Sequence, residues 1–454
     1  MLEKLFKLKQ HKTNAKTEVI AGITTFMTMA YILAVNPNIL SAAGMDPTAV
    51  LLATAIASFI ATACMAFLAN KPFALSAGMG LNAYLAYTVV GQMGYSWQIA
   101  LLAVFVEGLI FIVLTLTNVR ESIFNSIPKT LKCGVSVGIG LFITFIGLQN
   151  SGLCVDASTL VTITNFTENF STHGICALLA LLGLFFTAIL HINKVKGAIL
   201  YGIIGTWLLG IICQLVGLYV PTPDAGFYSL IPTSIISADF SKLGETFGQC
   251  FKADLSAIKI TEFIVVIFAF LFVDLFDTLG TVIGVATKAD MLDENGHLPG
   301  IKPTLLSDAI GTSAGAVLGT STITTFVESA SGVSVGGRTG LTAIVTGGLF
   351  LLSTLFAPLF TSIPSFATAP ALIMVGFLMV STVKEITFDD DNLTEAIPAF
   401  IAIIAMPLFY SISEGISLGI ISYVILNLCT GKAKKVNPLM YILAVLFILK
   451  YIFL

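Results

Sequence analysis

Apolar runs of roughly 20 residues follow one another along this chain, from about residue 17 to about residue 430. A helix of that length crosses a hydrocarbon core of about 30 Å. Inside lipid every backbone N–H and C=O must be satisfied internally, which leaves helices and closed barrels as the spanning structures. Only 10% of the residues are charged and 56% are hydrophobic, against about 25% charged in a soluble domain. The expectation is an all-α polytopic membrane protein.

Spans fall at roughly 17–40, 48–69, 72–91, 98–118, 129–150, 173–191, 196–218, 261–286, 303–319, 321–339, 340–361, 366–385, 395–411 and 413–430, about fourteen in all. Lys and Arg collect on every second connection: Lys71; Arg120, Lys129 and Lys132; Lys194 and Lys196; Lys288 and Lys302; Arg338; Lys384; and the tail with Lys432, Lys434 and Lys435. Positive charge marks the cytoplasmic side, so both termini are expected there. The 219–260 segment breaks the pattern, with Lys242, Lys252 and Lys259 beside Asp224, Asp239, Glu245 and Asp254. The lysines of the N-terminus are not followed by a short apolar region with a small-residue cleavage site.

The chain also resembles itself. "TEVIAGITTFMTMAYILAV" (17–35) matches "TEFIVVIFAFLFVDLFDTL" (261–279), and "AILYGIIG" (198–205) matches "GISLGIIS" (415–422). The first span thus pairs with the eighth and the seventh with the fourteenth. Two halves of seven spans each must run through the membrane in opposite directions, the inverted repeat typical of transporters, whose sites lie near mid-membrane between the repeats. Residues 437–454 are apolar enough to cross, but the repeat leaves them over, and a helix lying at the cytoplasmic face is expected.

Three stretches hold polar groups at membrane depth. "FLFVDLFDTLGT" (270–281) places Asp274, Asp277 and Thr278 on one helical face. Intramembrane carboxylates mark substrate or ion pathways, and a carboxylate in a dry site holds a proton more readily than in water. Asp274 is therefore a candidate proton carrier, with Asp277 behind it. "GTSTITTFVESASGVSVGGRTG" (319–340) begins as a β-branched run suited to extended backbone, then turns helical near Glu328 and Ser329. "KPFALSAGMGLNAYLAYTVV" (71–90) has the same layout, with Gly78 and Gly80 permitting close approach and Asn82 the sole amide. Two broken spans at corresponding places in two halves point to a binding site, and their extended pieces could pair antiparallel. The plainer alternatives are helix–helix hydrogen bonding for the aspartates and Asn82, and burial against Arg338 for Glu328. Glu18 and Glu107 read as structural. His173, His191 and His297 fall near span ends or in loops. The acidic run 389–392 reads as a solvated loop. The seven scattered cysteines form no ligand spacing, so no metal, disulfide framework or cofactor is expected, and the Gly-rich 332–340 stretch lacks the Lys-Ser/Thr of a phosphate loop. Two acids, an amide, backbone N–H groups and the Phe326 ring suit a small flat heterocycle bearing donors and acceptors, such as a purine.

"GITTFMTMAYILAVNP", "SAGMGLNAY", "FVDLFDTLGT" and "TTFVESASGVSVGGRTGLT", in that order, resemble the AzgA-like purine permeases, a branch of the nucleobase–cation symporter-2 or nucleobase–ascorbate transporter group. The resemblance implies a seven-plus-seven inverted repeat with short antiparallel strands in spans three and ten. It implies a core from spans one to four and eight to eleven (17–118 and 261–361) and a gate from spans five to seven and twelve to fourteen (129–218 and 366–430). Residues 219–260 become an extracellular surface segment and 431–454 a cytoplasmic tail with an apolar helix. Asp274 and Glu328 match the binding acids and Asn82 the functional amide. Gly78, Met79, Phe326, Val327 and Ser329 would line the pocket. Relatives for uracil and xanthine carry His where this chain has Thr278. The resemblance thus implies proton-coupled uptake of adenine, guanine or hypoxanthine through the plasma membrane, by an elevator-like motion, in a protein that is no enzyme and pairs as a homodimer through the gate. Partners are a purine base, a proton and the bilayer, with no nucleic acid. The proton is assigned to Asp274, Glu328 or Asp277. The rival readings are a same-fold carrier of uracil, xanthine or an anion, and a channel.

Overall fold

The computed structural model describes residues 2–453 except 118–125, 159, 224–225, 233, 255, 257, 293–297 and 390–391. Arg120, Asp224, His297, two acids of the 389–392 run and the expected boundary at 118 lie outside the described residues. Ten helices among the described residues are long and apolar enough to cross a membrane. They are spans 1 (Ala15–Ser41), 2 (Pro47–Ala69), 4 (Trp97–Leu116), 5 (Lys129–Asn150), 6 (Phe170–Ile192), 7 (Ala198–Leu215), 8 (Ile260–Lys288), 11 (Gly340–Thr361), 12 (Ser365–Glu385) and 14 (Ile412–Cys429). Four more complete the series. Span 9 (Ile301–Leu318) carries Thr304, Ser307, Asp308 and Thr312 in its interior, and span 13 is the shorter Leu393–Leu408. Spans 3 and 10 are each a strand followed by a helix: β1 (Leu75–Ala77) leads into Met79–Ala83 and a π-wound stretch to Gln92, and β4 (Ile323–Thr325) leads into Ser329–Val335.

Side chains fix where several helices begin. Asn14, Asp46 and Ser96 accept hydrogen bonds from Thr17 N, Ala49 N and Ile99 N at 3.0, 2.9 and 3.4 Å, satisfying first-turn donors that would otherwise be orphaned. Span 1 is not one helix. It is α-helical over Ala15–Met29 and again over Ile32–Ser41, with three-residue turns between (Leu33 N donates to Ala30 O at 3.1 Å and Ala34 N to Tyr31 O at 3.0 Å). Pro37 lies midway along the second piece; it lacks an N–H and its ring crowds the carbonyl four residues back, that of Leu33 at the start of the piece.

The connections sort into two sets by parity. On one face the N-terminal segment, the 2–3 and 10–11 connections meet through Asn70, which donates to Phe6 O at 3.1 Å and accepts from Gly340 N at 2.9 Å. Lys302 reaches Leu116 O at 2.8 Å, and Lys129 pairs with Glu385 at 3.1 Å, joining the 4–5 connection to 8–9 and 12–13. On the other face the 219–260 segment touches the 1–2 connection through Lys242 and Asp46 at 3.6 Å. It also meets the 9–10 connection, where Thr246 Oγ1 donates to Leu318 O at 2.9 Å. These contacts agree with a seven-plus-seven inverted arrangement of the spans.

The inverted repeat is visible in single atoms. β1 and β4 pair antiparallel, with Leu75 opposite Thr325, Ser76 opposite Thr324 and Ala77 opposite Ile323. A two-stranded ribbon leaves both outer edges unpaired, and in a membrane those edges need partners. Thr62 of span 2 accepts from Leu75 N at 3.0 Å and donates to Leu75 O at 3.2 Å. Thr312 of span 9 does the same for Ile323, at 3.3 and 3.1 Å. One threonine from each of two corresponding spans therefore covers the first residue of the corresponding strand. Spans 5 and 12 cross at glycines: a Cβ on Gly140 would lie 2.7 Å from Gly376 O, and one on Gly376 2.4 Å from Gly140 O. Close backbone approach of this kind is how helices associate in lipid.

Two elements differ from the sequence reading. A second hairpin, β2 (Cys154–Ala157) with β3 (Leu160–Ile163), fills the 5–6 connection. The C-terminal helix (Pro438–Phe453) does not lie across the face; it runs back along span 14. Tyr441 Oη donates to Ala433 O at 3.0 Å, the Tyr451 hydroxyl reaches Glu414 in the first turn of span 14, and Phe447 meets Phe272 of span 8 at 5.5 Å between ring centroids. The reason is in its pattern. Met440, Leu443, Ala444 and Phe447 make one buried stripe, yet the opposite side, with Ile442, Val445 and Ile452 exposed, is apolar too. A helix resting at an interface needs a polar face, and this one has none.

Candidate functional site

The site is built where the β1–β4 ribbon meets span 8. The ribbon is extended by two further bonds, Phe326 N to Ala74 O and Gly78 N to Thr322 O, both 3.0 Å. It ends at each side in the start of a half-helix: Gly78 precedes the one at Met79–Ala83 and Glu328 the one at Ser329–Val335. Gly78 matters for fit, since a Cβ there would stand 3.0 Å from Thr324 Oγ1. Ser329 is engaged by the ribbon, accepting from Ala74 N at 3.0 Å.

Span 8 presents its polar face to this junction. Asp277, half-buried, accepts from Thr324 Oγ1 at 3.4 Å and lies within electrostatic reach of Glu328 and Asp308. Asp274, one turn earlier and fully buried, accepts from Thr278 Oγ1 at 2.8 Å. Thr278 Oγ1 is also 2.9 Å from Asp308 Oδ1 on span 9. Glu328, half-buried, accepts from Tyr31 Oη at 2.7 Å. Tyr31 stands at the break in span 1, and its ring lies 6.5 Å from that of Phe326, tilted by 44°. The break is what lets a side chain of span 1 reach the start of the half-helix in span 10.

Asn82 is fully buried, and its carbonyl accepts from the Ser321 hydroxyl. Its Nδ2 has no partner among the described residues. Leaving a buried amide donor unpaired costs about 1–3 kcal/mol, so this N–H₂ is suited to an acceptor that arrives with a ligand. Phe326 and Met79 are buried, while Val327 is 47% exposed. Gly280 and Gly284, on the Asp277 side of span 8, would carry a Cβ with nothing within 4 Å.

Sequence reasoning missed Tyr31 and Asp308. Asp308 had the same signal as Asp274, a carboxylate inside a span; the polar residues around it hid the span's depth. Tyr31 had no signal, because its role depends on where span 1 breaks. The proposed burial of Glu328 against Arg338 is not what forms: the Arg338 guanidinium donates to Val333 O and Gly337 O at 2.7 and 2.8 Å. Glu18 accepts from Thr342 Oγ1 at 2.7 Å, Thr339 Oγ1 at 2.8 Å and Arg338 N at 2.9 Å, tying span 1 to the start of span 11. Glu107 accepts from Thr322 Oγ1 at 3.0 Å, next to the ribbon.

A family model described as Permease family matches residues 16–437. The chain is 49% identical over 454 residues to a putative permease of Methanocaldococcus jannaschii, covering 100% of this chain and 98% of that one. It is 45% identical over 463 residues to the guanine/hypoxanthine permease PbuG of Bacillus subtilis, covering 100% of both. It is 43% identical over 452 residues to the adenine permease AdeQ of Escherichia coli, covering 99% and 96%. Among solved structures, the transmembrane domain of the cyanobacterial bicarbonate transporter BicA superposes with a TM-score of 0.64 at 15% identity, over 89% of this chain and 97% of that one. That likeness establishes a shared fold.

Proposed function

The chain belongs to the permease family, a multi-pass membrane transporter and not an enzyme, and from that premise we propose that it imports purine nucleobases by proton-coupled secondary-active transport. The observation that carries this reading is the antiparallel β1–β4 ribbon from which two half-helices start. Asp277 takes the Thr324 hydroxyl of the ribbon, Glu328 takes the Tyr31 hydroxyl with the Tyr31 and Phe326 rings 6.5 Å apart, and Asn82, whose carbonyl takes the Ser321 hydroxyl, keeps its Nδ2 unpaired. A purine is flat, neutral and carries both donors and acceptors along its edge. Carboxylates take its N–H groups, the amide supplies a donor, and an aromatic ring covers its face. Full-length relatives named as guanine/hypoxanthine and adenine permeases support the substrate class.

The motion follows from how the site is held. Every group named belongs to spans 1, 3, 8, 9 or 10, so the site moves as a body with the core (17–118 and 261–361). The gate (129–218 and 366–430) is the fixed partner, and the core slides against it to carry base and proton across, an elevator-type alternating access. The 219–260 segment lies outside the cell, both termini lie in the cytoplasm, the protein sits in the cell membrane, and two copies associate through the gate. Asp274, Asp277 and Glu328 are the groups that take up and release the proton, and Gly78, Met79, Val327, Ser329 and Thr278 complete the lining.

The test is uptake of labelled guanine, hypoxanthine and adenine into proteoliposomes under an imposed proton gradient. Accumulation that collapses with a protonophore supports the reading. Accumulation that persists without the proton gradient assigns another coupling ion, and uptake of none of the three bases rejects the substrate class. A thermal-shift screen of purines, pyrimidines and anions on the purified protein checks selectivity separately.

A further inference from the structure

Thr278 Oγ1 lies 2.8 Å from Asp274 Oδ1 and 2.9 Å from Asp308 Oδ1. All three side chains are fully buried. A hydroxyl has one hydrogen to donate and lone pairs with which to accept. It can therefore donate to one of these carboxyl oxygens only. At the other contact two bare oxygens would face each other unless that carboxyl brings a hydrogen of its own. Two buried carboxylates one hydroxyl apart also disfavour double ionisation.

From this geometry we propose that Asp274, Thr278 and Asp308 form a proton store that holds one proton between two carboxyls, with Asp308 of span 9 as its second proton-holding residue. The transfer balances within the triad. As the Asp308 carboxyl gives its hydrogen to Thr278 Oγ1, the Thr278 hydrogen passes to Asp274 Oδ1; the charge moves from Asp274 to Asp308 and the hydroxyl is regenerated. The store stands one helical turn from Asp277, whose charge reaches Asp308 and Glu328. Filling or emptying it thus changes the field at the base-binding junction. Titratable side chains on elements packed against spans 8 and 9 include Glu107 on span 4, Tyr84 on span 3, Lys132 and Cys133 on span 5, Cys64 on span 2, Glu328 at the start of the span 10 half-helix, and Glu414 and Tyr423 on span 14. Its role in transport rests on the proton-coupled reading above; the shared proton itself does not.

The experiment is infrared difference spectroscopy of the purified full-length protein through a pH titration, with hydrogen–deuterium exchange. The carbonyl stretch of a protonated carboxylic acid, shifting in deuterium, is expected in the wild-type protein near neutral pH. Asp308→Asn should remove that component, because the amide can donate to Thr278 Oγ1 without any added proton. Thr278→Val should remove or shift it, and Thr278→Ser should restore it, which carries the test if Asp308→Asn folds poorly. Asp308→Asn should keep purine binding in a thermal-shift assay while losing uptake against a gradient. Absence of the band in the wild-type protein, or a band unchanged in Asp308→Asn and Thr278→Val, overturns the proposal. Wild-type uptake that ignores the proton gradient while the band behaves as expected would instead reject the coupling reading and leave the store standing.

Discussion

Replacing Tyr31 by Phe deletes one oxygen and leaves the ring that packs 6.5 Å from Phe326. The change isolates the bond from Tyr31 Oη to Glu328 Oε1, 2.7 Å long. A hydrogen bond to an ionised partner contributes about 1.5–3 kcal/mol and a neutral one about 0.5–1.5 kcal/mol. Each factor of ten in affinity corresponds to about 1.4 kcal/mol. If Tyr31 holds the carboxylate of Glu328 in the orientation that receives the base, its loss weakens purine binding by roughly 10- to 150-fold; with Glu328 neutral the loss is about 2- to 12-fold. Calorimetry on the purified protein measures the change, and a double-mutant cycle with Glu328→Gln assigns it. The two substitutions act on one unit, so their effects should fall well short of additive. Unchanged or tighter binding by Tyr31→Phe, or full additivity with Glu328→Gln, would refute the account of how Glu328 is positioned.

Asp277→Asn keeps the shape beside Thr324 but removes the charge, and should weaken purine binding at least tenfold; equal affinity in a thermal-shift titration would remove Asp277 from the site. Thr62→Val and Thr312→Val each orphan the N–H and C=O of one strand residue, at about 1–3 kcal/mol per group, so both should lower the melting temperature in detergent by similar amounts. A large drop for one and none for the other would contradict the equivalence of the two half-repeats. Gly376→Val forces apart spans 5 and 12 where backbone meets backbone, and overpacking of about 1–3 kcal/mol or more is expected; normal thermal stability and transport in that variant would show the crossing to be looser than described.

The elements that sequence made legible were those whose signal is local. A run of apolar residues reports its own length, so spans 2, 4, 5, 7 and 14 come out within a few residues of their observed ends. A β-branched run ahead of Glu328 and the Pro72-to-Gly78 stretch report their own reluctance to be helical, and both proved to be the strands of the ribbon. The last helix carries its signal locally too, in apolar residues on both its sides, which favour packing along span 14 over lying at an interface.

What the amino-acid sequence determined by itself was the solvent, the number of crossings, the order of the two halves and the depth of the polar residues, because burial in lipid penalises each misplaced charge independently of the rest of the fold. Which polar groups meet was decided only in three dimensions. Tyr31 reaches Glu328 across 297 positions of chain, and Asp308 reaches Thr278 across 30, because span 1 breaks where it does and span 9 packs against span 8. Hydrogen bonds act over about 3 Å, so partners distant in sequence exist only once the helices have chosen their neighbours.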